Sequence, residues 1–83
     1  MPIDDNTDAV LATVLAAAAQ VFGRQVHHED NLFDLGGDSI TAVELVMRLA
    51  EDLGVVVDTA DLVEAPDFET FARHLSVYGQ HTF

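Results

Sequence analysis

The sequence predicts an all-α protein, a small four-helix bundle of three main helices and one short helix. Three observations favour this class: apolar residues recur at helical spacing in three stretches, helix-capping residues precede the later stretches, and no two segments form paired strands. The 83 residues fit one domain, and a hydrophobic content of 49% supplies a single core. We therefore expect one domain over residues 1–83, with its core in about 8–78 and a polar tail at 79–83.

The first predicted helix runs from Asp8 to Phe22. At about 100° per residue its bulky side chains share one face. These are Val10, Leu11, Val14, Leu15, Val21 and Phe22. Three aspartates near its start complement the positive end of the helix dipole, and Gly23 is placed to cap its end.

A long loop is expected from Arg24 to Asp38, because this stretch has no clear periodicity. Three apolar residues are expected to pin it to the core: Leu32, Phe33 and Leu35. Loops of about 15 residues in compact domains tend to be functional. The second helix is then predicted from Ser39 to Leu53, closed by Gly54.

Residues 55–57 are three valines that suit a strand by composition, but no second strand exists to pair with them, so we expect an apolar connector. A short helix follows over 58–65, with its first residue, an aspartate, as the cap, and Pro66 marks its end. Asp67 caps a last helix that extends to about Tyr78. This helix is expected to bury Phe68, Phe71, Ala72 and Leu75.

The composition limits the partners and the location. Three Lys+Arg against fifteen Asp+Glu give a net charge of −12, which argues against nucleic acid and anionic membranes and favours a partner with a basic patch. Without cysteine there is no disulfide and no thiol chemistry. No stretch reaches the roughly 18 apolar residues of a membrane span. We expect a cytoplasmic monomer, freestanding because it begins with Met, with a domain of a larger enzyme as the alternative.

The second helix carries an apolar strip beside its core face. The core face is formed by Ala42, Leu45, Val46, Leu49, Ala50 and Leu53. Ile40, Val43 and Met47 lie on a separate edge, bordered by Glu44 and Glu51. This edge is either a widened core face or a strip of apolar partner contacts with a rim of carboxylates.

The segment D-L-G-G-D-S-I, residues 34–40, places two glycines and an aspartate directly before the serine that opens the second helix. A glycine turn followed by a capping residue accounts for part of this pattern. Two consecutive glycines also cost backbone entropy, and their bare backbone allows another surface to approach closely. We therefore expect Ser39 to be reached by a large partner.

Residues 31–40, N-L-F-D-L-G-G-D-S-I, together with Ala42, Leu45 and Leu49, closely resemble the phosphopantetheine attachment site of carrier proteins in nonribosomal peptide and polyketide synthesis. The resemblance extends more loosely over about residues 8–75. The double glycine is more similar to peptidyl carriers, whereas the short length and the acidity are more similar to stand-alone acyl carriers.

The resemblance implies an acyl-carrier-protein-like bundle that is not an enzyme. A separate phosphopantetheinyl transferase, using Mg²⁺, would attach 4′-phosphopantetheine from coenzyme A to Ser39, and the cofactor-binding site would also include Gly37, Asp38 and Ile40. The arm would carry acyl or aminoacyl groups as thioesters between enzymes. An adenylation enzyme or acyltransferase would load it, and a ketosynthase or condensation enzyme would use the cargo.

The position of Ser39 suits a phosphodiester, because the N-terminus of a helix favours an anion. The carboxylate of Asp38 would repel that phosphate, so we assign Asp38 to helix capping and to presenting Ser39 to the transferase. We expect Ile40, Val43, Glu44, Met47 and Glu51 to form a docking surface for basic partners.

Two alternatives belong to other functional classes. The chain can be an unmodified helical binding module that docks a partner through the second helix. Residues 37–40 also resemble the serine motif of GDSL-type hydrolases, but those enzymes need a strand before the serine and a larger α/β domain, so we expect no catalytic residue.

His27, His28 and His74 lack the i, i+4 spacing of a helical metal site, and we expect no metal.

Overall fold

The computed structural model describes residues 3–78 and, within them, the side chains of residues 8–76. It contains the helices α1 (Ile3–Phe22), α2 (Ser39–Leu53), α3 (Thr59–Glu64) and α4 (Phe68–Tyr78), with a 3-10 helix at Phe33–Leu35. The described residues include no strand. The predicted all-α bundle of three main helices and one short helix is therefore confirmed, whereas the predicted tail at 79–83 lies outside the described residues.

The core lies where α1 meets both α2 and α4, while the short α3 contacts α2 and α4. Its largest fully buried side chains come from α1, α2, α4 and the loop before α2: Phe68, Phe71, Leu32, Leu45, Leu49 and Val14. Burying one such side chain contributes about 1.5–3 kcal/mol relative to leaving it exposed. The predicted core face of α2 is confirmed, since Ala42, Leu45, Val46 and Leu49 are buried, and so are the four predicted core residues of α4.

The start of α1 differs from the prediction, because the helix begins at Ile3 rather than at Asp8. Apolar periodicity marks only the part of a helix that packs on the core. The residues before Asp8 include two aspartates, which are favourable near a helix N-terminus, so the helix extends beyond its apolar face. Its predicted end is confirmed, with the Gly23 N–H donating to the Ala19 carbonyl at 2.8 Å.

The loop before α2 also differs from the prediction. Leu32 is buried as expected, but Phe33 is 57% exposed and Leu35 is only half-buried. The cause is the 3-10 helix at Phe33–Leu35, in which successive side chains point about 120° apart, so that consecutive residues cannot all face the core.

The remaining connections follow the sequence. Asp58 caps α3 by accepting a hydrogen bond from the Ala60 N–H at 3.0 Å, and the valines before it form a connector in which Val56 is exposed. Within the residues that the structure describes, no helix combines the length and the apolar character that crossing a membrane would require.

Candidate functional site

Ser39 is the first residue of α2, and its side chain is exposed. The residue before it, Asp38, has extended backbone and caps the helix. One carboxylate oxygen, Oδ1, accepts hydrogen bonds from the backbone N–H and the hydroxyl of Thr41, each at 3.0 Å. These two bonds, the backbone one first, lower the pKa of Asp38 below its ordinary value. The predicted capping role is confirmed, whereas its role in presenting Ser39 stays a prediction.

The helix end at Ser39 is open. The carboxylate of Asp38 accepts a hydrogen bond from the Thr41 N–H, and the Asp38 carbonyl accepts one from the Ala42 N–H at 2.9 Å. The Ser39 N–H has no hydrogen-bond acceptor among the described residues, and the Ile40 N–H interacts with the Asp38 carboxylate, whose pKa it helps to lower. An exposed hydroxyl therefore stands at the positive end of a helix, where a covalently held phosphate is stabilised.

Each of the two glycines before Asp38 has a reason within the chain itself, the backbone conformation at Gly36 and the packing at Gly37. Gly36 has a φ of 82° and ends the 3-10 helix, and residues other than glycine rarely adopt this backbone conformation. Gly37 lies directly against Leu32: a Cβ on Gly37 would be 2.8 Å from Leu32 Cδ1 and 2.9 Å from the Leu32 carbonyl oxygen. Gly37 is therefore required by a buried side chain of the same protein, and the use of this bare backbone by an approaching partner stays a prediction.

The loop that carries these glycines is bound to the junction between α3 and α4. The carbonyls of Asp30 and His28 accept hydrogen bonds from the Phe68 and Glu69 N–H groups at 2.9 and 3.0 Å. The side chain of Asn31 adds a bond to the same junction. This role of Asn31 was not predicted from the sequence, although Asn side chains commonly accept a hydrogen bond from a nearby backbone N–H in turns.

The apolar strip on α2 lies on the surface. Ile40 is 76% exposed, Met47 64% and Val43 46%, and the bordering Glu44 and Glu51 are exposed as well. The interpretation as a widened core face is therefore wrong, and the strip is available to a partner. Whether partners use it stays a prediction.

The rim of this strip is acidic in spite of a neighbouring arginine. Arg48 lies between the two glutamates in a shallow groove of about 260 Å³ lined also by Met47. Its guanidinium donates a hydrogen bond to the side-chain oxygen of Gln20 on α1. Within the described part of the chain, Glu44 and Glu51 form no salt bridge. Their charges face solvent and favour a basic partner surface.

Two of the three described histidines contact carboxylates of other elements. His74 Nε2 lies 3.0 Å from Asp61 Oδ2, which links α4 to α3. His28 Nδ1 lies 3.2 Å from Glu69 Oε1, which links the loop to α4. Among the residues that the structure describes, no group of three or more possible metal ligands comes together, and no hydrogen bond joins Ser39 to a histidine.

Comparison with protein families assigns the chain to a family. The family model of the phosphopantetheine attachment site matches residues 12–75, which include Ser39 and most of α1, α2, α3 and α4. The chain belongs to the phosphopantetheine attachment site family. Members of this family are carrier domains that bind 4′-phosphopantetheine covalently. The structure fits the group, because an exposed serine hydroxyl stands at the open, positive end of α2.

The relatives of this chain include nonribosomal peptide synthetases. The chain is 37% identical over 70 residues to the nonribosomal peptide synthetase vlms of Lecanicillium sp, covering 84% of this chain and 1% of the relative. It is 35% identical over 71 residues to the enniatin synthase of Fusarium equiseti, covering 86% and 2%. A dimodular nonribosomal peptide synthase of Bacillus subtilis is 43% identical over 49 residues, covering 59% and 2%.

The chain thus spans about 1–2% of the length of these relatives. No solved structure matches the chain significantly.

Proposed function

We propose that Ser39 receives the 4′-phosphopantetheine and that the protein is a non-catalytic carrier, which brings acyl or aminoacyl groups to enzymes of nonribosomal peptide or polyketide synthesis. One observation carries the proposal. Ser39 is an exposed hydroxyl on the first residue of α2, inside the matched region, beside a backbone N–H with no acceptor among the described residues. That position combines access for a transferase with stabilisation of a phosphodiester.

The loading step uses Ser39 as the nucleophile. Its Oγ forms a bond to the phosphorus of coenzyme A that carries the pantetheine, and the bond from that phosphorus to the leaving 3′,5′-ADP breaks. The hydroxyl proton passes to a base of the transferase, and Mg²⁺ held by the transferase would stabilise the negative charge on the leaving 3′,5′-ADP. Asp38 keeps α2 capped while its charge presents Ser39 to the transferase. When bound, the group supplies the thiol that this cysteine-free chain lacks and that holds the cargo.

The partners follow from this role and from the relatives. Loading would be done by an adenylation enzyme or an acyltransferase, and the cargo would be used by a condensation enzyme or a ketosynthase. The named relatives are nonribosomal peptide synthetases, which supports the adenylation and condensation partners. We further propose that the carrier acts as a cytoplasmic monomer and that partners dock on the strip of Ile40, Val43 and Met47.

The test is the intact mass after incubation with coenzyme A, Mg²⁺ and a promiscuous phosphopantetheinyl transferase. The parent protein is expected to gain one phosphopantetheine, and Ser39→Ala none. Ser76→Ala is the matched control, since Ser76 is 9% exposed and donates to the Arg73 carbonyl, and it is expected to load like the parent. A folded parent that gains no mass would favour an unmodified module that docks through α2. A Ser39→Ala protein that gains mass would refute the assignment of Ser39.

A further inference from the structure

Asn31 joins two separate parts of the molecule through one amide group. Its Oδ1 accepts a hydrogen bond from the Asp34 N–H at 2.8 Å, within the 3-10 helix. Its Nδ2 donates to the carbonyl of Pro66 at 3.1 Å, at the junction of α3 and α4. Both ends of the amide are used, and only a side chain with a donor and an acceptor satisfies both contacts.

The first of these contacts leads along the chain to Ser39. The next residue, Leu32, is buried, and its side chain and carbonyl contact the backbone of Gly37. The Gly37 N–H donates to the Leu32 carbonyl at 2.9 Å. Because Gly37 is two residues before Ser39, the position of the turn that begins at Asn31 sets the position of the serine backbone.

The second contact fixes that turn relative to the rest of the bundle. Hydrogen bonds that the Asp30 and His28 carbonyls accept from the first two N–H groups of α4 hold the preceding part of the loop on this helix. The Asn31–Pro66 bond continues this attachment up to the 3-10 helix. Loss of the Asn31 amide would leave the backbone bonds and the buried Leu32 in place, so the fold is expected to persist while the segment before Ser39 loosens.

We propose that Asn31 is a positioning residue for the modification of Ser39, and that its bond to Pro66 holds the segment 31–38 in the geometry that the transferase requires. The inference rests on the proposed attachment at Ser39. Asn31 does not touch the reacting atoms and acts through the turn and through the contact between Leu32 and Gly37. Small displacements of a reacting group lower the rate of a step far more than they lower binding.

The experiment compares Asn31→Ala and Asn31→Asp with the parent in steady-state loading by a promiscuous transferase with coenzyme A and Mg²⁺. The Asp variant keeps an acceptor for the Asp34 N–H but loses the donor to Pro66. The matched control is Asp67→Ala, which removes a hydrogen bond to Thr70 at the same junction and leaves both bonds of Asn31. Circular dichroism and thermal unfolding are measured for every variant.

Both Asn31 variants are expected to fold and to show a kcat about tenfold lower, with a KM for the carrier within about twofold of the parent, since the strip on α2 is unchanged. Asp67→Ala is expected to keep the parent kcat in spite of lower stability. A parent-like kcat in Asn31→Asp would overturn the role of the Pro66 bond. An equal loss of kcat in Asp67→Ala would show that stability alone is responsible, and would also overturn it.

Hydrogen exchange of the Gly37 N–H provides a readout that does not depend on loading. Its exchange is expected to be roughly five- to tenfold faster in Asn31→Ala than in the parent, and unchanged in Asp67→Ala. Unchanged exchange in Asn31→Ala would refute the positioning role even if Ser39 is modified. Failure of the parent and of every variant to load, with faster exchange in Asn31→Ala, would refute the attachment at Ser39 and still support the role of Asn31 in placing the loop.

Discussion

The N-termini of α2 and α4 are built from the same sequence pattern, an aspartate cap followed three residues later by a threonine. Asp38 accepts a hydrogen bond from the Thr41 N–H at 3.0 Å, and Asp67 accepts one from the Thr70 N–H at 2.7 Å. In both cases the threonine backbone and hydroxyl lower the pKa of the aspartate. The local capping chemistry of the two helices is therefore the same.

The two helix ends differ in what covers them. In α4 the N–H groups of Phe68 and Glu69 are bound by carbonyls of the α1–α2 loop, and Phe68 is buried. In α2 the corresponding first residue, Ser39, is exposed, and its N–H has no acceptor among the described residues. The same cap thus serves one helix start that the protein closes and one that it leaves open to solvent.

The largest expected effect is a difference in the free energy of unfolding between alanine variants at the first residues of these two helices. Phe68→Ala is expected to lower the free energy of unfolding by about 3–5 kcal/mol, because it empties a filled core position. Ser39→Ala is expected to change it by no more than about 0.5 kcal/mol, because the side chain is exposed. Urea unfolding followed by circular dichroism measures both. Comparable losses for the two variants would show that the start of α2 is as closed as that of α4.

The next largest effect concerns the exposed apolar strip on α2, which follows Ser39. Met47→Ala is expected to raise the KM of the transferase for the carrier about fivefold, as for loss of an interface contact worth about 1 kcal/mol. Val56→Ala is the matched control, since Val56 is exposed but lies outside α2. Added salt is expected to raise the KM for the parent, because the proposed docking surface places Glu44 and Glu51 against basic partners. A KM insensitive to salt and to Met47→Ala would exclude this docking surface.

A smaller effect distinguishes the charges of the two caps. Asp38→Asn keeps a capping oxygen and removes the charge beside Ser39, and it is expected to lower the loading rate by about two- to fivefold, a modest electrostatic contribution. Asp67→Asn makes the same chemical change at the closed helix end and is expected to load at the parent rate. If Asp38→Asn retains its helix content and loads as fast as the parent, the charge of Asp38 has no presenting role.

The smallest effect is the pH dependence of stability. Both aspartates have folded-state pKa values below the ordinary 3.8. A lowered pKa means that the ionised form is stabilised by folding, so this contribution is complete above the unfolded-state pKa and is lost as the pH falls through the folded-state value. The stability difference between the parent and Asp38→Asn/Asp67→Asn is therefore expected to shrink below about pH 4. A difference that grows on acidification would contradict this sign.

Much of this comparison could be predicted from local sequence. The caps at Asp38 and Asp67, the end of α2 at Gly54 and the buried face of α2 all depend on residues within one or two helical turns. The exposure of Phe33 could not be predicted, because apolar character alone does not tell which side of a short 3-10 turn meets the core. Nor could the contact of Gly37 with Leu32, since the same glycine pattern suits an open turn.

The closure of α4 by the loop was also beyond the sequence, because its bonds join residues far apart in the chain. Asn31 and Pro66 are 35 positions apart, and no local pattern pairs a carbonyl at Asp30 with an N–H at Phe68. Tertiary contacts therefore distinguish the open helix end from the closed one. The caps can be read from the sequence, and their accessibility cannot.

These distant bonds have a consequence for the order of folding. Helices form from neighbouring residues within about a microsecond, whereas contacts that close a loop of several tens of residues must first overcome the entropy of that loop. His28 and Glu69 are 41 positions apart, so the loop before Ser39 cannot dock until α4 is present. During synthesis, α2 leaves the ribosome well before α4 does. In a nascent chain, Ser39 is therefore exposed before the loop that precedes it is fixed in place. That loop docks only when α4 has emerged.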